Sequence, residues 1–155
     1  MNTRTSVLIL ENIRSVENTA SIFRSADTFG VSKIILVGTT PPPIDRFGRE
    51  RQDFVKVSLG AEKFVSWEVG KSISSVVEEL REQGFQIIAL EQDPRSKKLR
   101  DFRPQDQFAL IVGSEIDGIS RATLDTADAI VEIPMQGQKE SLNVSVAFGI
   151  AIFAL

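Results

Sequence analysis

The chain contains no cysteine, no histidine and no tyrosine among its 155 residues, and it has a single tryptophan. Each absence removes a kind of chemistry. Without cysteine there are no disulfides, no thiolate nucleophile and no cysteine–zinc site, and residence in the cytoplasm is permitted. Without histidine the usual general base near neutral pH and the commonest metal ligand are missing. Asp, Glu, Lys, Arg, Ser, Thr and backbone groups must carry any reaction. No cluster of carboxylates stands out in the sequence, so no metal is expected. Long hydrophobic runs are lacking too. The longest, 144–155, is too short to span a bilayer and is interrupted by Gly149, so no membrane partner is expected. Residues 1–4 introduce no apolar core of signal-peptide length. A large excess of either charge is also absent: the formal net charge is −3, and no general basic surface announces nucleic acid.

What is present reads as one globular domain over 1–155, with 42 % hydrophobic and 25 % charged residues, enough for one substantial core. Short, nearly all-apolar runs at 7–10, 33–37, 85–90, 108–112 and 129–133 predict strands, with a further strand at 64–69. Helical patterns alternate with them, from 17 or 18 to 29, over 72–83, over 120–127 and over the final run. Residues 38–53, with three consecutive prolines and three arginines, and residues 93–107 predict polar loops. Strands that lack polar alternation and alternate with helices imply an α/β fold, a parallel sheet covered by helices on both faces.

Three constellations stand at the strand–helix junctions. The last is Ile133-Pro134-Met135, then Ser141-Leu142-Asn143-Val144-Ser145. Proline stops the strand, and Ser141 and Asn143 sit where a helix N-cap belongs. The terminal run is apolar to its last residue, so either a partner covers it or the chain has been cut short. The second constellation is Val112-Gly113-Ser114-Glu115-Ile116-Asp117-Gly118, after a strand and before a helix, where open α/β sheets bind ligands. It is neither a dinucleotide fingerprint nor a P-loop. Its plain reading is a tight turn whose acid caps the next helix. The first is Asn18 followed by Arg24. Its plain reading is that Asn18 caps a helix and Arg24 pairs with Asp27. Two basic loops complete the inventory, Arg46, Phe47, Arg49 and Arg51 in one, and Lys97, Lys98, Arg100 and Arg103 in the other. Each is a solvated loop or a phosphate contact.

In order and spacing, these three motifs resemble those of the SpoU (TrmH-like) RNA 2′-O-ribose methyltransferases of the SPOUT class, over nearly the whole chain. The resemblance implies a parallel sheet with a deep C-terminal trefoil knot, S-adenosylmethionine as cofactor, and a homodimer with the site near its interface. It implies cofactor contacts at Leu90, Gly113, Ile133, Ser141 and Leu142. It gives catalytic importance to Arg24, Asn18, Glu115, Ser141 and Asn143. In that reading Arg24 positions the acceptor and stabilises the oxyanion, Glu115 orients Arg24 or the motif loops, and Asn143 holds the third motif against them. A guanidinium stays protonated, so it is a poor base. The basic loops then gain weight as RNA contacts, at Arg46, Phe47, Arg49, Arg51, Lys97 and Lys98. The implied activity is transfer of a methyl group to a ribose 2′-hydroxyl of tRNA or rRNA, in the cytoplasm.

Two departures bear on the substrate. The extra N-terminal RNA-binding domain of some ribosomal-RNA members and the longer C-terminal helical tail of some transfer-RNA members have no counterpart here. Asp117 also places a carboxylate where the family is variable and often basic. The alternatives are a non-catalytic knotted RNA-binding dimer and a nucleotide-handling α/β protein of another class. Failure to bind S-adenosylmethionine would favour the latter, and cofactor binding without methyl transfer the former. The motifs single out neither tRNA nor rRNA, nor the modified nucleotide; small size alone leans the expectation toward tRNA.

Overall fold

The computed structural model describes residues 4–155; residues 1–3, the first part of the segment read for a signal peptide, lie outside the described residues. Seven strands form one sheet: β1 (Thr5–Glu11), β2 (Lys33–Val37), β3 (Ser66–Val69), β4 (Gln86–Leu90), β5 (Lys97–Lys98), β6 (Gln107–Gly113) and β7 (Ala129–Glu132). Their order is β3-β2-β1-β6-β4-β7-β5, and every pairing is parallel. The helices are α1 (Val16–Thr28), α2 (Gln52–Ser58), α3 (Ile73–Glu82), α4 (Arg121–Thr126) and α5 (Val144–Ala154). Among the described residues, no helix is long and apolar enough to cross a membrane.

Strand side chains alternate between two faces, and both faces are apolar because both are covered. Leu8, Leu10, Ile34, Leu36, Leu110 and Val112 face α1, α2 and α5, meeting Phe23, Phe54 and Phe148. Val7, Ile9, Ile35, Val37, Ala109 and Ile111 face the other way, onto Val76, Val77 and Leu80 of α3 and Leu124 of α4. The expected parallel, doubly covered α/β sheet is therefore what forms.

Three local expectations are corrected. Asn18 does not cap the first helix. Ser15 does, its Oγ accepting from the Asn18 backbone N–H at 3.0 Å, so the Asn18 side chain is released for other work. A seven-residue helix, α2, begins at the end of the stretch read as loop; only Phe54 and Ser58 in it are buried, too few to show a period. The polar stretch after β4 contains β5 and a 3₁₀ turn, Leu99–Asp101. The strand is two exposed lysines, with no apolar signal, while Leu99 and Phe102 anchor the segment in the core.

Candidate active site

In a parallel sheet all strands end on the same edge, so the turns after β1, β6 and β7 gather there. The turn after β6 folds on itself. The Ser114 hydroxyl accepts from the backbone N–H groups of Ile116 and Asp117 at 3.2 and 3.3 Å, and the Gly118 N–H donates to the Ser114 carbonyl at 2.9 Å. Gly113 must be glycine for close approach: a Cβ there would lie 2.6 Å from the Ile119 nitrogen and 2.7 Å from the Gly118 carbonyl carbon. Gly118 has φ +66, and a Cβ on it would run into the Glu91 carboxylate.

Glu115 does not cap α4. Ser120 does that, accepting from the Thr123 N–H at 3.3 Å. Glu115 instead reaches across to the turn after β1, accepting from the Arg14 backbone N–H at 2.8 Å and from Asn18 Nδ2 at 3.4 Å. Asn143 Nδ2 donates to Asn18 Oδ1 at 3.1 Å, while Asn143 Oδ1 caps α5 by accepting from the Ser145 N–H at 2.9 Å. Asn18, Glu115 and Asn143, one residue from each motif, thus form a single hydrogen-bonded chain. Ser141 is not the cap; it lies two residues earlier, in the loop.

Beside this chain opens a cleft of about 600 Å³, inside the range of about 300–1,000 Å³ usual for small-molecule and cofactor sites. All five expected cofactor contacts, Leu90, Gly113, Ile133, Ser141 and Leu142, line it, and Glu115 lines it too. Acidic groups outnumber basic ones on its surface: Glu91, Asp93, Glu115, Asp117 and Glu132 against Arg121.

Three lining acids, Glu91, Asp93 and Glu132, were missed in the sequence. Glu91 accepts from the Ile119 N–H at 2.9 Å and from the Gln92 N–H at 3.0 Å, tying the strand end of β4 to the turn after β6. Asp93 holds Arg95, which also grips Asp125 of α4 at 2.8 Å. The Arg95 side chain, first through its hydrogen bond, keeps the Asp93 carboxyl below its ordinary pKa, and the two aspartates push the guanidinium's up. The only sequence signal for Glu91 was its place directly after an apolar strand.

Arg24 stands apart. It is exposed on α1, makes no ion pair among the described residues, and does not line the cleft. The expected pair with Asp27 does not form, and Glu115 meets Asn18 and the Arg14 backbone, orienting the motif loops rather than Arg24.

The two basic loops lie at opposite ends of the sheet. Lys97 and Lys98 form β5, exposed on one edge. Arg46, Phe47, Arg49 and Arg51 lie in the loop after β2, beside the other edge strand. The guanidiniums of Arg46 and Arg49 sit 4.8 and 4.9 Å from the Phe47 ring centroid. Asp45 fixes this loop, accepting from the N–H groups of Phe47 and Arg49 at 2.8 and 3.0 Å. Those bonds, that from the Arg49 backbone first, hold its carboxyl below the usual carboxylate range.

Comparison with known proteins bears on this geometry. Residues 5–153 match the model of the SpoU rRNA Methylase family. The chain is 27 % identical over 157 residues to a tRNA (guanosine(18)-2′-O)-methyltransferase of Borreliella burgdorferi, covering 100 % of this chain and 68 % of that protein. It is 32 % identical over 148 residues to a 23S rRNA (guanosine-2′-O-)-methyltransferase of Ralstonia nicotianae, covering 95 % of this chain and 56 % of that protein. An AdoMet-bound rRNA methyltransferase from Sinorhizobium meliloti superposes with a TM-score of 0.87 at 26 % identity, over 97 % of this chain and 55 % of that one. The chain therefore spans little more than half the length of two of these three proteins. The family match runs through all three motifs and every strand of the sheet, and the chain belongs to the SpoU rRNA methylase family.

Proposed function

We propose that this chain is a methyltransferase domain that transfers the methyl group of S-adenosylmethionine to a ribose 2′-hydroxyl of tRNA or rRNA. The observation that carries the reading is the Glu115–Asn18–Asn143 chain, which joins the three motifs beside a cleft lined by Glu115 and all five expected cofactor contacts. S-adenosylmethionine supplies an electrophilic methyl on a cationic sulfonium. The acidic lining of the cleft is the complement of such a cation. Leu90, Ile133 and Leu142 offer apolar packing, and the bare backbone at Gly113 permits close approach. Arg24, outside the cleft and without an ion pair among the described residues, is available to the acceptor, where its guanidinium binds a substrate phosphate and the developing 2′-oxyanion. The hydroxyl proton then passes to a phosphate oxygen or to water, since a guanidinium does not take it. Asn18, Glu115 and Asn143 act as positioning residues, and Ser141 is placed to touch cofactor or substrate. The basic loops, Arg46 to Arg51 and Lys97 with Lys98, supply phosphate contacts. A trefoil knot belongs to this reading. In its support, the segment after β7 crosses to the loop after β4, where Gln92 Nε2 donates to the Glu140 carbonyl at 2.8 Å.

A homodimer belongs to it as well. Helix α5 is apolar on every side, the character of a helix that is buried all round. Yet only Val144, Phe148 and Ala151 of it are buried, while Val146, Ile150 and Phe153 stay exposed, Phe153 at 77 %. They line a groove against α1 with Phe29. Phe153→Glu is expected to convert a dimer to a monomer in sedimentation at micromolar concentration; a wild-type monomer would refute the dimer. RNA modification in a chain without cysteine is consistent with the cytoplasm.

The direct test is methyl transfer from labelled S-adenosylmethionine to unmodified total RNA, with nuclease digestion and nucleoside analysis. A labelled 2′-O-methylnucleoside is expected, and the RNA fraction carrying it names the substrate. Tight cofactor binding with no transfer would overturn catalysis in favour of an RNA-binding module.

A further inference from the structure

A second concavity, of about 660 Å³, lies at the β3 end of the sheet, with β2 and β1 between β3 and β6, the nearest strand of the cleft. It is lined by Phe47 and the three arginines of the loop after β2, and by Trp67 and Val69 of the edge strand β3. Its charge is the reverse of the cleft's, three guanidiniums against the one carboxylate of Asp45. Its aromatic surface is available: Phe47 is 66 % exposed although two guanidiniums lie against its ring.

The loop is also built rather than loose. Ile44 and Glu50 form an antiparallel bridge, and the Arg51 N–H donates to the Pro43 carbonyl at 2.9 Å. Arg49 and Arg51 are held by Asp45 and Asp53 at 2.9 and 3.2 Å, whereas Arg46 has no carboxylate partner among the described residues. An aromatic face, an apolar floor and one guanidinium with no carboxylate partner among the described residues, on a fixed loop, are the parts that bind a single nucleotide: stacking for the base and charge for its phosphate.

We propose that this groove is a stacking subsite for one unpaired nucleotide of the substrate RNA, its base against Phe47 and Trp67 and its phosphate on Arg46. This deepens the RNA methyl-transfer reading above and rests on it for the identity of the polymer. A base inside a duplex has both faces covered by its neighbours, so the subsite selects single-stranded or looped RNA. The enzyme would then hold its substrate at two places, the ribose near the cleft and an unpaired base in the groove at the β3 end of the sheet.

Trp67 reports on the groove by itself, because it is the only tryptophan and the chain has no tyrosine. The experiment is a fluorescence titration of the full chain with single-stranded hexa-adenylate, with a blunt RNA duplex and with adenosine monophosphate. Calorimetry with S-adenosylhomocysteine, the demethylated product, and the methyl-transfer assay are run on the same samples. Hexa-adenylate is expected to quench Trp67 saturably. Phe47→Ala and Arg46→Ala, both on exposed side chains, are each expected to weaken that binding about tenfold while calorimetry still shows a folded cofactor cleft. Adenosine monophosphate, which carries one base and one phosphate, is expected to quench with lower affinity, and the duplex weakly. No quenching, quenching unchanged in both variants, or equal quenching by the duplex would overturn the subsite. Methyl transfer with a silent Trp67 refutes the groove alone. A responsive Trp67 without cofactor binding refutes the methyl-transfer reading and leaves a single-strand binding site.

Discussion

Arg24→Ala is expected to lower methyl transfer about 10²- to 10³-fold, the usual effect of removing one donor aimed at a developing oxyanion. Cofactor affinity, measured by calorimetry with S-adenosylhomocysteine, is expected to stay within about twofold, because Arg24 does not line the cleft. Fold stability should hardly change. The side chain is exposed on α1 and has no ion-pair partner among the described residues, and substitutions at such sites are usually within about 0.5 kcal/mol. Arg24→Lys separates charge from geometry. A lysine retains the positive charge but not the planar fork that grips two oxygens, so partial activity is expected. A variant that loses cofactor affinity, or that loses dimerisation, would refute the acceptor-side role.

Gly113→Ala is expected to act on the opposite side of the reaction. The added methyl would meet backbone, the Ile119 nitrogen at 2.6 Å and the Gly118 carbonyl carbon at 2.7 Å, and neither can rotate away as a side chain could. The turn must shift, pulling Ile119 from the Glu91 carboxylate that it now meets at 2.9 Å. Overpacking of this kind costs about 1–3 kcal/mol. If that cost falls on the bound state, S-adenosylhomocysteine affinity drops roughly ten- to a hundredfold, since about 1.4 kcal/mol is a factor of ten. Gly137→Ala is the internal control. Nothing lies within 4 Å of its added Cβ, and its affinity is expected to match the wild type. Equal affinity in Gly113→Ala and wild type would show that the turn after β6 does not shape the cofactor site.

The architecture was legible because burial on both sheet faces leaves a direct trace. Runs such as 33–37 and 108–112 contain no polar residue to expose, apart from Lys33 at a strand end. The lining of the cleft was legible through motif order, since the five residues expected to meet a cofactor, Leu90, Gly113, Ile133, Ser141 and Leu142, all line it. What escaped was whatever depends on side-chain direction. Ser15 and Asn18 are both good capping residues, and only the backbone shows which one caps. Glu115 stands before a helix like any capping acid, yet turns to Asn18 in the first turn of α1. Trp67 carries no motif at all; it becomes a candidate for binding only because β3 is an edge strand beside an arginine loop.

The hydrogen bonds that join Asn18 to Glu115 and to Asn143 close sequence separations of 97 and 125 residues. Contacts of such span form late, because the entropy of closing long loops must be overcome before they can stabilise anything. On the ribosome, β1 and α1 emerge long before the helix that Asn143 caps. A nascent or partly unfolded chain therefore has no assembled site. If the proposed methyl transfer holds, competence would itself report on folding, because the first and third motifs meet only once α5 has docked against α1.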